Sequence, residues 1–340
     1  MLFRTLISIP PLFPRKQAEL GRNSVPGLAL IFAMAALSLP STLFAQAWTL
    51  PKGASYTKFF YGEVTAAQQY TFDGRATDFI DGLSGDTYRD RSLYMYSEIG
   101  FSDRFSLVLS LPYKRSFVRD HAFRFRVFGL GTASVGGRLS LLQLFGMNPS
   151  RNALAANVMV HVPTGYTRNY APSTGAGQVD VQASIFYGRS FHPFPAYAQV
   201  GAGYRHKSSL YLLSKAAPCL GGSDIHCIVD ARPDYGDELL FHAEAGISPP
   251  GGMLLLQAIV TSAWSLQKPV VGFSALNPIP THQRVAKVGA GITVYPFHVL
   301  KSPLFASLGV SAQYFETPFG QNTINSRDLF VGVELRPQFF

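Results

Sequence analysis

The chain has 340 residues and a formal net charge of +9, with 47% apolar residues but only 14% charged ones, against about 25% charged in an average soluble domain. Its 27 Phe, 16 Tyr and 2 Trp, set among 31 Gly and 23 Pro, exclude a disordered chain and a charged coiled coil. Past residue 50 the apolar runs are short, and a helix crossing hydrocarbon needs about 20 such residues, so an aromatic-rich all-β chain remains.

The first segment stands apart. Arg15, Lys16 and Arg22 precede the apolar run Gly27–Leu39, and Ala45-Gln46-Ala47 follows it. A basic stretch, an apolar run of about a dozen residues and a small-x-small site have the form of a secretory signal; a buried helix is the alternative. Residues 1–47 are expected to be cleaved, with 48–340 as the folded unit.

From Trp48 the chain repeats one unit, an alternating segment followed by a turn. In Ser92–Ser102, Leu93, Met95, Ile99 and Phe101 face one way and Tyr94, Tyr96, Glu98 and Gly100 the other. In Arg104–Phe117, Phe105, Leu107, Leu109, Leu111 and Tyr113 oppose Ser106, Ser110 and Lys114. Such alternation marks a strand with one apolar face. It recurs at Thr132–Leu142, Asn152–Val162, Gln178–Ser190, Ala196–Arg205 and Asp237–Pro249. Gly252–Trp264, Gln283–Tyr295, Leu304–Phe315 and Asp328–Gln338 repeat it again, and the less regular Ala54–Glu63 completes twelve.

These segments approach the length of tilted transmembrane strands, and exceed the five or six residues usual in soluble domains. The connections sort as well. Those at 102–104, 143–151, 191–195, 250–251 and 296–303 are short, and those at 64–91, 116–131, 163–177, 206–236, 265–282 and 316–327 are long. Short periplasmic turns and long extracellular loops are the pattern of a transmembrane antiparallel β-barrel in the bacterial outer membrane. A secreted sandwich or soluble barrel is the alternative. The final Phe339-Phe340 resembles the aromatic signal read by the barrel assembly machinery, with Val331, Val333 and Leu335 in phase with Phe339.

If the apolar face meets lipid, the alternate residues line the lumen. They are Glu98, Lys114, Arg138, His161, Asp180, Gln182, Arg205, Glu238, His242, Glu244, Lys287, Glu334 and Arg336, with the aromatics Tyr94, Tyr96, Phe186 and Tyr197. Both signs occur in nearly equal numbers, which favours internal ion pairs over a strongly ion-selective pore. Glu238 and Glu244 are expected beside Arg205, and Glu334 and Arg336 near the first strand and the Lys287 side of the wall. These charges either brace a closed lumen or line a solute path. The glycines on the strands read as bends and places of close approach.

Cys219 and Cys227, both in the loop 206–236, are expected to pair, because an exported chain meets an oxidising compartment. Free thiols or a metal site with His226 are the alternative, though two thiols and one imidazole are an incomplete set. No metal, cofactor or nucleic-acid site is expected.

Five short elements carry a resemblance: Ala47-Trp48-Thr49-Leu50-Pro51-Lys52-Gly53, Phe105–Tyr113, Val160–Tyr166, Gly175–Asp180 with Tyr187–Phe191, and Gly236–Leu239. In this order they resemble the bacterial outer-membrane proteins named after the meta-pathway of phenol degradation, which are distantly similar to the long-chain fatty-acid and aromatic-hydrocarbon channels. The resemblance implies a non-enzymatic channel or uptake protein for small hydrophobic or aromatic compounds. Its partners would be outer-membrane lipid and lipopolysaccharide, the assembly machinery and the solute. The larger hydrocarbon channels carry an N-terminal plug, and Trp48–Gly53 is too short for a comparable one.

Two other classes stand beside this. One is a structural or adhesive barrel without transport. The other is a phospholipase-like hydrolase, since His206 and Ser208 lie two residues apart on the lipid-facing side. A serine hydrolase also needs a group to orient its histidine, and Tyr187 and Arg189 of the sixth strand are unsuited to that. A rim histidine between Arg205 and Lys207 that meets lipid headgroups is the simpler reading.

Overall fold

The computed structural model describes residues 47–78, 87–119, 124–147, 151–164, 174–212, 235–249, 253–269, 282–297 and 307–336. Residues 1–46 of the expected signal, Cys219 and Cys227 with their expected disulfide, and Phe339 and Phe340 lie outside the described residues.

Period-two alternation produces strands throughout. In chain order they are β1 (Ser55–Tyr70), β2 (Ala76–Asp78), β3 (Tyr88–Ser102), β4 (Phe105–Arg119), β5 (Arg124–Leu130) and β6 (Thr132–Ser140). A single helical turn, α1 (Leu141–Leu144), follows β6. The chain continues with β7 (Asn152–Pro163), β8 (Gln178–Ser190), β9 (Ala196–Tyr211) and β10 (Glu238–Ile247). It ends with β11 (Leu254–Ser265), β12 (Arg284–Val294), β13 (Leu308–Gln321) and β14 (Thr323–Leu335).

Sequential strands pair antiparallel, and β14 closes on β1 from Thr57↔Leu335 to Tyr70↔Thr323. β5 and β6 both pair with β4, so they form one wall strand interrupted at Gly131. β2 pairs only with the end of β1. The ring therefore has twelve strands, as the alternation predicts.

The wall is inside out relative to a soluble protein. Phe101 is 75% exposed and Leu93 58%, whereas Glu98 and Arg138 are 3% and 2% exposed. A continuous apolar belt of this kind is stable where it faces hydrocarbon, and the closed ring leaves no strand edge unpaired there. The fold is that of an outer-membrane barrel. No described helix is long and apolar enough to cross a membrane; the strands do so.

The structure corrects several boundaries. The segment 316–327 is not a long loop: β13 runs to Gln321, β14 starts at Thr323, and Asn322 turns the chain with φ +51°. Glu316 and Arg327 are exposed there. The apolar alternation fails because the strands continue past the hydrocarbon, where the outer face is polar. For the same reason β1 extends to Tyr70, β3 begins at Tyr88, and β4 and β5 occupy most of 116–131. Leu141 and Leu142, expected at the end of a strand, belong to α1, which Ser140 caps by accepting from the Gln143 N–H.

Candidate functional site

The inward-facing side chains form three layers along the barrel axis. The outermost is a belt of ion pairs. Lys114 lies 3.9 Å from Asp90, whose carboxylate also accepts from the Ser92 and Ser116 hydroxyls. Lys287 is bonded to Asp328. On the opposite wall Arg205 donates to Glu238 at 3.0 Å and to Gln182 at 2.8 Å, and Lys207 to Asp180 at 3.0 Å. His161 sits between the Ser134 hydroxyl at 2.8 Å and Gln182 at 3.2 Å.

Below this belt lies an apolar layer. Phe60 stacks on Tyr94 with ring centroids 4.8 Å apart, and the edge of Phe330 meets both rings. Phe315, Tyr96, Val108, Met159 and Ile259 join them. These residues come from β3, β4, β7, β11, β13, β14 and β1, so the layer draws on strands from opposite sides of the ring.

The innermost layer pairs carboxylates with tyrosines and amides. Arg138 and Tyr96 donate to Glu98 at 2.8 and 3.2 Å. Glu334 accepts from Tyr56 at 2.7 Å, from Tyr295, and from Arg336 at 3.0 Å. Glu244 accepts from Tyr197, from Gln257 at 2.8 Å and from Gln199 at 3.2 Å, with His242 at 3.5 Å. Phe186 meets the His242 ring edge-on. Arg336 is half exposed at the mouth and lies over the Tyr56 and Tyr295 rings.

The segment before β1, expected to be too short for a plug comparable to that of the larger channels, nonetheless fills the inner end of the lumen. Ala47 is buried and donates its N–H to Gln199 at 3.1 Å. Trp48 packs edge-on against Tyr197, and its carbonyl accepts from Arg138 at 3.2 Å. The Leu50 N–H donates to the Ser106 hydroxyl at 3.0 Å, and its side chain meets the apolar layer. The path depends on two glycines. A Cβ at Gly100 would come within 2.0 Å of the Pro51 carbonyl oxygen, and one at Gly188 within 2.5 Å of the Trp48 ring.

Above this obstruction a cavity of about 220 Å³ remains. Lys114, His161, Arg205 and Lys287 line its polar side, and Met159 and Phe186 its apolar side. An apolar cavity of roughly 150 Å³ is large enough for benzene, so there is room for one aromatic ring with small substituents.

The structure thus brings Arg205 and Glu238 together, and sets Tyr94 and Tyr96 in one cluster. It separates others. Glu244 is opposite Gln199, not Arg205, because six residues along β10 divide it from Glu238. Glu334 does reach the first strand, at Tyr56, and the end of the Lys287 strand, at Tyr295, while Lys287 itself pairs with Asp328. Sequence reasoning missed Asp90, Asp328, Lys58 and Lys207. Asp90 lies before the strand start read from the apolar pattern, though its inward phase matches that of Tyr94.

On the outer face, His206 bonds to Asp237 at 3.1 Å, while the Ser208 hydroxyl donates to the Val179 carbonyl. A hydrolytic pair needs the histidine bonded to the serine, and no such bond joins His206 to Ser208. Partial burial pushes the Asp237 carboxyl up, but bonds from Tyr204, the Lys207 N–H and His206 outweigh this and hold it below the usual carboxylate range. Among the described residues no group of three or more His, Cys, Asp or Glu is placed to hold a metal.

No family model matches the sequence, and no curated protein does. Solved structures do resemble the fold. The outer-membrane channel of Pseudomonas putida F1 has a TM-score of 0.63 at 14% identity, over 86% of this chain and 99% of that one. The NanC porin has a TM-score of 0.45 at 6% identity, over 82% and 98%. A mutant of the monoaromatic hydrocarbon channel TodX has 0.41 at 8%, over 90% and 96%. The first of these likenesses, with the closed ring and its lipid-facing belt, shows that the chain has the fold of an outer-membrane channel.

Proposed function

We propose that the protein takes up small hydrophobic or aromatic compounds across the outer membrane, as the resemblance to the phenol meta-pathway proteins implies. The observation that carries this reading is the cavity of about 220 Å³, which lies beside an aromatic layer and above the segment that precedes β1. An apolar solute gains about 25 cal/mol for each Å² of apolar surface that leaves water, and the Phe186 and Met159 side of the cavity supplies that surface. Charges next to the path are tolerable because they are paired; a buried unpaired charge would cost several kcal/mol. Passage to the inner side then requires residues 48–51 to move out of the lumen.

A second reading, a purely structural barrel, is favoured by the density of ion pairs in both polar layers. Uptake separates the two. Cells lacking the gene, with and without its restoration, are given a panel of radiolabelled aromatics and fatty acids. Faster uptake of part of the panel on restoration is expected. Equal uptake across the whole panel would leave only the structural reading.

A further inference from the structure

The outward face of the wall carries a basic patch for which lumen transport has no use. Cross-strand partners share a face, so the strand register fixes its layout. Leu93 of β3 and Tyr113 of β4 are opposite one another in the lipid-facing belt, 58% and 46% exposed. Two residues further toward the outer rim, Glu63, Arg91 and Arg115 are opposite one another on β1, β3 and β4. Two further still, Arg89, Phe117 and Arg126 are opposite one another on β3, β4 and β5. With strands about 4.8 Å apart and about 3.3 Å per residue, four arginines converge on a patch about 10 Å across.

Glu63 is the one carboxylate that the described residues place among them, 3.1 Å from Arg91 and 3.5 Å from Arg89. Arg126 lies over the Phe117 ring at 5.7 Å. Arg91 directly opposes Arg115, and like charges so placed repel. Beyond the Glu63 pairs with Arg91 and Arg89, Arg115 and Arg126 have no carboxylate among the described residues, and two such charges at the boundary between an apolar belt and the polar rim call for an anion on the membrane side.

We propose that this patch binds the phosphate groups of an outer-leaflet phosphoglycolipid. Guanidinium forks match phosphate oxygens in pairs and give shorter, stronger bonds than neutral donors. The lipid's acyl chains continue down the wall past Leu93 and Tyr113, which a soluble phosphate would leave bare. Phe128, opposite Arg115 and 74% exposed, offers a further apolar surface at the edge of the patch.

The test is native mass spectrometry of the full barrel in detergent, titrated with diphosphorylated lipid A and with its dephosphorylated form. The wild type is expected to bind the phosphorylated lipid at least tenfold more tightly. The paired change Arg115→Gln with Arg126→Gln should remove that preference, whereas Lys268→Gln, exposed just beyond β11 on another part of the ring, should leave it intact. Equal binding of the two lipids by the wild-type protein would overturn the proposal, and this holds even if the double variant fails to fold. A folded double variant that keeps the preference, or inorganic phosphate that binds as tightly as the lipid, would also overturn it.

Discussion

The outer and inner halves of the lumen both bury charge, but they compensate it differently. In the outer half, Arg205 and Lys207 have two partners each, but among the described residues Lys114 has only Asp90, at 3.9 Å, and the cavity lies beside it. In the inner half, Glu334 and Glu244 each take three donors from tyrosine, amide or guanidinium groups, and the N-terminal segment occupies the space between the walls. A buried charge held by one loose partner leaves room for a guest, whereas one saturated by aromatic hydroxyls and amides leaves none. The outer half is therefore suited to admitting a solute and the inner half to holding the barrel shut.

The largest test of this contrast is stability. Arg138→Met leaves Glu98 in the inner layer with the Tyr96 hydroxyl alone, at 3.2 Å, and removing one partner of a buried pair typically costs about 3–5 kcal/mol. Lys114→Met should cost less than half of that, because Asp90 keeps the Ser92 and Ser116 hydroxyls. The temperature at which each variant loses its compact, fast-migrating form in detergent gels gives the order. Equal losses would break the distinction between the halves.

Conductance probes the obstruction itself. Gly100→Ala places a methyl group against the Pro51 carbonyl, and should raise single-channel conductance severalfold by pushing the segment out. Unchanged conductance would mean that the inner half is closed by the wall side chains alone. At the inner end of the cavity, opposite Arg138, Asn157→Phe adds a ring to the lining at a residue whose side-chain amide oxygen has no hydrogen-bond partner. Aromatic uptake should fall about tenfold with little change in stability, and an undiminished rate would move the solute path elsewhere.

The smallest effect belongs to the rim. The folded protein holds the Asp237 carboxyl below its ordinary value of 3.8, so Asp237 stabilises the fold above that pH and the gain disappears as pH falls through the lowered value. Asp237→Asn should cost less than about 1 kcal/mol at neutral pH, since the site is partly exposed. It should cost nothing in strong acid. Unfolding curves at pH 7 and pH 2 decide the matter.

The sequence made the wall legible because hydrocarbon demands a strict alternation, and one register then sets every face. Glu98, Arg138, Arg205 and Glu238 were readable as inward-facing for this reason. Asp90 was not, since it lies before the strand start that the apolar pattern gives; Asp328 heads its expected strand in phase with Glu334 and was passed over. Lys58 sits on β1, the least regular of the twelve. The path of Ala47–Gly53 was hidden more deeply, because a segment without regular structure has no period to read. Its trace is indirect: Gly100 and Gly188 stand at inward positions where only the absence of a side chain admits Pro51 and Trp48.

The central claim is that solute reaches the inner side only when the N-terminal segment leaves the lumen. It is tested most directly by tethering that segment through Leu50→Cys and Ser106→Cys, whose parent residues are in hydrogen-bond contact, in a protein with Cys219 and Cys227 replaced by Ser. Proteoliposomes carrying the oxidised form should take up a small aromatic at background rate, and reductant should restore the untethered rate. Uptake by the oxidised form at the untethered rate would contradict the claim.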